Sequence, residues 1–164
     1  MDKTIQAALN EQINAELHSA YTYLAMSAHF AEQNFDGFAH WMRHQADEEM
    51  EHAMKLFDYV LERGGHVELT AIAGPNKKLG TPLQVFELAL GHERKISGMI
   101  RDLFELSRKK GDYATELHLG WFITEQVEEE DNAGKAVEKL RMAGDSTAAL
   151  LMLDRQFGKR SDGD

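Results

Sequence analysis

The chain of 164 residues contains no cysteine. Disulfides, thiolate-bound zinc and cysteine-ligated iron–sulfur clusters are therefore excluded. The absence also suits a reducing compartment, so a cytoplasmic location is expected. Proline occurs only twice, which favours long helices, because proline breaks a helix interior. No apolar run approaches the roughly 18 residues a membrane span needs. The opening MDKTIQAALNEQ has no apolar segment after its lysine, unlike a signal peptide. No membrane partner is expected. Cations are also scarce: 18 Lys and Arg stand against 28 Asp and Glu, a formal charge of −10. Phosphate contact needs a basic surface, so nucleic-acid binding is not expected. An acidic surface attracts cations instead.

What is present is helical periodicity, arranged as one domain over 1–164. Apolar residues recur at steps of three and four over about 3–32, 37–63, 81–110 and 112–143. The link QNFDG between the first two runs is short enough to make them antiparallel neighbours, with Asp36 the expected N-cap. Thr81-Pro82-Leu83-Gln84 reads as a capping box with proline at the first helical position. Gly111 ends the third helix and Asp112 caps the fourth. Residues 64–81 carry no helical pattern. Extended, they reach about 55–60 Å, enough to run beside a helix of about 45 Å. The expected fold is an all-α ferritin-like four-helix bundle: two antiparallel pairs joined by one long crossover. A compact loop at one end is the alternative. A short fifth helix, 146–157, is apolar nearly all round, and a contact in an oligomer is its expected place.

The segment DEEMEHAM, residues 47–54, breaks the apolar pattern from within. The inward stripe of the second helix reads Phe38, Met42, Gln45, Glu49, His52, Leu56. The first reads Leu9, Ile13, Glu16, Ala20, Tyr23, Ser27, Phe30; the third, Phe86, Leu90, Glu93, Ser97, Ile100, Phe104; the fourth, Leu119, Phe122, Gln126, Glu129, Ala133. Each polar break keeps helical spacing, so it points inward at mid-helix. Glu16 to Glu49 spans 33 residues, as does Glu93 to Gln126, and an offset of 77 relates 16 to 93, 49 to 126 and 52 to 129. The chain reads as two copies of one helical hairpin.

Acids packed at one level repel. Each close pair costs about 4 kcal/mol at 4 Å and an effective dielectric near 20, and burial adds several kcal/mol per ion. No lysine or arginine lies on the stripes at that level. Protons or multivalent cations must neutralise the layer. Carboxylates with one imidazole suit a pair of iron ions. The remaining histidines, at 18, 29, 40, 44, 66, 92 and 118, are expected on surfaces or helix flanks, and Met26, Met42, Met50 and Met54 as core filler.

The stretches NEQINAELHSAYTYL, WMRHQADEEMEHAMKLFDYVLERGG and FITEQVEEE closely resemble the non-haem ferritins of bacteria and archaea. The resemblance spans essentially the whole chain. It implies an iron store with ferroxidase activity, in which Fe(II) is oxidised by O2 or H2O2 and kept as ferric mineral in a homo-oligomeric shell of 24 subunits. It implies that Glu16, Glu49 and His52 hold one iron and that Glu93 and Glu129 hold a second, with Glu49 bridging and Gln126 alongside. By the resemblance Glu48, Glu125 and Glu128, which flank the stripe, match a weaker third iron site, with a solvated acidic edge as the alternative; Tyr23 matches an electron donor, with a core tyrosine bonded through its hydroxyl as the alternative; and the fifth helix lines the four-fold axes. Trp121 is read as packing, with a redox role as the alternative. Bacterioferritins and rubrerythrins carry a second Glu-x-x-His where this chain has Gln126-x-x-Glu129. Met50 stands where bacterioferritins place a haem ligand, yet non-haem members share it, so no haem is expected; a haem-binding variant remains an alternative. A di-iron oxygenase acting on an organic substrate is the other, and the bulk of Tyr23, Leu119 and Phe122 leaves it little room. Gly91, Gly98 and Gly120 inside helices point to close helix approach.

Overall fold

A computed structural model describes residues 1–75 and 78–159; Lys77 of the crossover and Arg160 of the tail lie outside them. Five helices follow in order: α1 Lys3–Glu32, α2 Asp36–Glu62, α3 Pro82–Lys110, α4 Tyr113–Ala143 and α5 Thr147–Phe157. Cross-helix bonds fix their directions. Ser27 Oγ donates to the Ala39 carbonyl, joining the end of α1 to the start of α2. Arg141 reaches Glu87 and Arg108 reaches Glu116, so α3 and α4 also run antiparallel.

The crossover traverses the bundle's length. Gln6, Asn10 and Asn14, one turn apart on α1, bond alternate residues of the extended chain. The Gln6 side chain accepts from His66 N, Asn10 donates to the His66 carbonyl and accepts from Glu68 N, and Asn14 donates to the Glu68 carbonyl and accepts from Thr70 N, all at 2.9–3.1 Å. At the far end His29 Nε2 meets the Gly80 carbonyl at 2.9 Å. Three side-chain amides thus satisfy backbone groups that no regular element could. The compact-loop alternative fails, because the segment begins beside the first turns of α1 and ends beside its last.

The capping box forms as read, Gln84 N donating to Thr81 Oγ1 and Thr81 N to Gln84 Oε1. Gly111 takes the left-handed conformation at φ 69°, and Asp112 accepts from Thr115 N. Asp36 is not a cap. It is the first helical residue of α2, and the preceding Phe35 offers no side-chain acceptor. The acceptor comes from α5: Asp154 Oδ1 takes the Phe38 N–H at 2.8 Å. A Cβ on Gly37 would stand 1.7 Å from the Asp154 carbonyl oxygen, so only glycine permits this approach.

That docking gives α5 a place within the protomer beside the oligomer contact expected of it. The bundle does bury one of its faces: Phe157 packs edge-on against Phe38 and Phe86, with ring centres at 5.4 and 5.5 Å, and Leu150 and Leu153 join the same cluster. Leu151 and Met152 stay exposed on the other face. Met26 and Met42 are core residues, but Met50 and Met54 are exposed, because they fall on the outer side of α2. A Cβ at Gly91, Gly98 or Gly120 meets nothing within 4 Å, so close approach within the protomer does not explain these glycines.

The apolar core is two clusters rather than one. One, largely aromatic, gathers Phe30, Phe38, Phe86 and Phe157 near α5. The other, largely aliphatic, gathers Ile5, Leu9, Leu56 and Ile100 at the opposite end. The polar layer lies between them.

Candidate metal centre

Every inward acid of the stripes is buried. Glu16 and Glu49 are each 1% exposed, Glu93 0% and Glu129 3%. The aromatic cluster seals one side of them and the aliphatic cluster the other. Among the described residues no lysine or arginine forms an ion pair with Glu16, Glu49 or Glu93.

Glu16, Glu49 and His52 come together, with one donor atom from each lying within 4.8 Å of the others. Glu49 and His52 are one turn apart on α2, and Glu49 Oε2 stands 3.6 Å from His52 Nδ1. Gln12 Nε2, one turn before Glu16, donates to Glu16 Oε1 at 2.7 Å. Glu16 Oε2 and Glu49 Oε2 are buried without any hydrogen-bond partner. Two orphaned acid oxygens beside one imidazole make a site that a cation would complete.

The second half is differently furnished. Tyr23 donates its hydroxyl to Glu93 Oε1. Gln126 Nε2 lies 3.3 Å from Glu93 Oε2, from the Glu93 carbonyl and from Ser97 Oγ. Gln45 donates to Glu129 Oε2 at 2.8 Å. Glu129 also falls with His52 and Glu125 in a second group of potential ligands whose donor atoms lie within 4.8 Å of one another. Gln126 is therefore held against Glu93 and Ser97.

Burial dominates the electrostatics. It pushes Glu16 up to about 7, opposed by the Gln12 bond. It pushes Glu49 well above the carboxylate range, helped by the charges of Glu93, Glu16 and Glu129, and raises Glu93 as well. Burial lowers His52 to about 4, with the Lys55 charge adding to it. The imidazole is thus neutral, as a ligand must be.

A ferritin profile, described as a ferritin-like domain, matches residues 6–143. The chain belongs to the ferritin family. It is 42% identical over 160 residues to a bacterial non-heme ferritin of Bacteroides fragilis, covering 98% of this chain and 99% of that one. It is 37% identical over 161 residues to a bacterial non-heme ferritin of Staphylococcus epidermidis, covering 98% and 97%. Among solved structures, an open pore ferritin from the hyperthermophilic archaeon Archaeoglobus fulgidus superposes with a TM-score of 0.97 at 44% identity, covering 98% of this chain and 99% of that one.

Of the three acids that match a third iron site, Glu125 lies within ligand reach of His52 and Glu129 in this ferritin. Glu125 is half-buried, and its carboxyl is raised by burial first, then by the charges of Glu128 and Glu48. Glu48 Oε2 also lies 3.2 Å from His44 Nδ1, while Glu128 is exposed. Two of the histidines expected on surfaces or helix flanks sit on partly covered flanks with ring or hydroxyl neighbours. His92 is largely covered, with Nε2 2.6 Å from Ser19 Oγ. His118 stacks on Tyr59 with ring centres 3.9 Å apart. Trp121 packs at the edge of the core, against Phe122 as well as His52. It is 39% exposed and stands edge-on to His52 at 5.4 Å between ring centres. Gln12 was the donor most open to discovery from sequence, since it precedes Glu16 by four residues on one helix face.

Proposed function

We propose that this ferritin stores iron and oxidises it: Fe(II) enters the buried layer, becomes Fe(III) and is retained as ferric mineral inside a homo-oligomeric shell of 24 subunits in the cytoplasm. The observation that carries the reading is the pair of orphaned carboxylate oxygens, on Glu16 and Glu49, beside a neutral His52. In this reading Glu16, Glu49 and His52 hold one ferrous ion. Glu93 and Glu129 hold the other, Glu49 bridges, and Gln126 orients what binds beside them. Glu48, Glu125 and Glu128 take a third iron on its way out. Carboxylate donors are hard ligands and favour the ferric state.

The electrons balance with either oxidant. Two ferrous ions give up one electron each. O2 takes both with two protons and leaves as H2O2; alternatively H2O2 takes both with two protons and leaves as two waters. The protein's own part is to keep the acids together, bury them from bulk water and hold His52 neutral.

The test is oxygen uptake on adding Fe(II) to the assembled protein, followed by gel filtration for retained ferric iron. Rapid uptake that is lost in His52→Ala, with the particle intact, supports the reading. No Fe(II) oxidation with either O2 or H2O2 refutes the ferroxidase; oxidation without retained mineral refutes storage.

A further inference from the structure

Two oxidisable aromatic side chains border the buried acids, and their surroundings are opposite. Tyr23, on α1, is 1% exposed and donates its hydroxyl to Glu93. Trp121, on α4, stands edge-on to His52 at 5.4 Å and to Phe122 at 4.8 Å. Over the Trp121 ring lies the Lys55 ammonium, 4.0 Å from the ring centre. Lys55 follows His52 by three residues on α2, so the helix puts both on one face against Trp121. Among the described residues Lys55 has no carboxylate partner in an ion pair. Its ammonium lies on the indole face, which attracts a cation through its quadrupole.

We infer that Lys55 is a positioning residue that decides which aromatic side chain gives up an electron: it holds Trp121 back and leaves Tyr23 as the donor. This rests on the ferroxidase reading above. Taking O2 fully to water needs four electrons, and one pair of ferrous ions supplies two. When iron is limiting, some layers hold a single ferrous ion; there the ion gives H2O2 one electron, a side chain gives the second, and with two protons the peroxide leaves as two waters. If Trp121 loses an electron, the indole becomes a cation radical 4.0 Å from a fixed positive charge. That like-charge contact opposes the oxidation, and the favourable cation–ring attraction is lost with it. If Tyr23 loses an electron, its proton passes along the existing bond to the Glu93 carboxylate. The products are a neutral tyrosyl radical and a neutral carboxylic acid, so no new charge is buried.

The experiment compares wild type, Lys55→Met and Lys55→Arg, assembled and loaded with two Fe(II) per subunit, then mixed with O2 and freeze-quenched. Radicals are identified by electron paramagnetic resonance, with Tyr23→Phe and Trp121→Phe as assignments, and oxidation of Trp121 is read by peptide mass spectrometry after repeated turnover. Both are expressed per iron oxidised. Wild type and Lys55→Arg are expected to give a tyrosyl radical and little oxidised Trp121. In Lys55→Met a tryptophanyl radical appears and Trp121 oxidation rises severalfold. The metal-free proteins exposed to azide radicals, a one-electron oxidant, give the same ranking at Trp121 without any iron. A tryptophanyl radical already dominant in wild type, or equal Trp121 oxidation in wild type and Lys55→Met, overturns the assignment of Lys55. Absence of Fe(II) oxidation with either O2 or H2O2 in wild type overturns the ferroxidase reading instead, and the azide-radical ranking then still decides whether Lys55 shields Trp121.

Discussion

The two halves of the buried layer sit at equivalent positions of an internal repeat, yet they are completed in different ways. In the first half, Glu16 has one protein donor, Gln12, and an oxygen on each of Glu16 and Glu49 has none. In the second, Tyr23 and Gln126 serve Glu93, and Gln45 serves Glu129. The spacing along the chain is therefore repeated while the chemistry diverges. One half is left polar and unsatisfied, the other is tied down by neutral donors. A cation entering the first half gains acid oxygens that had no partner. One entering the second half must compete with bonds already made.

Removing Glu49, the acid proposed to bridge the halves, has the largest expected effect. Glu49→Ala should lower Fe(II)-dependent oxygen uptake by roughly 100-fold or more, beyond the range seen when a supporting group of a metal ligand is lost. The metal-free protein should at the same time become more stable in a thermal melt, because a buried acid with an unpaired oxygen is gone. Loss of both activity and stability would mean that Glu49 is a packing residue.

The contrast between halves is tested next by occupancy. One equivalent of redox-inert Zn(II) per subunit should favour Glu16, Glu49 and His52 over the second half by about tenfold, a difference of about 1.4 kcal/mol. Anomalous diffraction at the zinc edge reads the ratio, and equal density at both places would erase the distinction.

Acidity offers a gentler probe. Burial raises Glu16 from 4.5 to about 7, so the fold favours its protonated form; that stability is full below about pH 4.5 and lost as pH rises through 7. Glu49 and Glu93 shift in the same direction. His52, lowered from 6.5 to about 4, has the opposite sign: its stability is present above 6.5 and lost as pH falls through 4. Glu125 is raised as well, and His92 and His118 are lowered like His52; the imidazoles stop contributing above 6.5, so the melting temperature of the metal-free protein should fall most clearly between about pH 6.5 and about pH 7. Bound Zn(II) should flatten or reverse that slope.

The smallest effect lies away from the layer and serves as its control. Gly91→Ala, Gly98→Ala and Gly120→Ala each put a methyl group where no atom lies within 4 Å. Each should stabilise its helix by roughly 1 kcal/mol without altering iron oxidation. A fall in stability would place another subunit against that face.

Much of this was legible in the residues because helix period alone assigns a face. Glu16, Glu49, Glu93 and Glu129 hold the spacing of their apolar neighbours, and all four are buried. The capping box at Thr81 and the left-handed Gly111 were readable because the cap residues are adjacent in sequence. The α2 cap was not, since its acceptor, Asp154, is 116 residues from Phe38. Nor was the place of Trp121, which depends on what α2 presents to α4.

The sequence by itself determined which side chains face inward and how many charges lie there, since both follow from 3.6 residues per turn and composition. Only the tertiary structure decided which acid oxygens find a donor and which stay empty-handed. Those donors arrive from other turns and other helices, and a bond that spans helices depends on how far one slides along its neighbour.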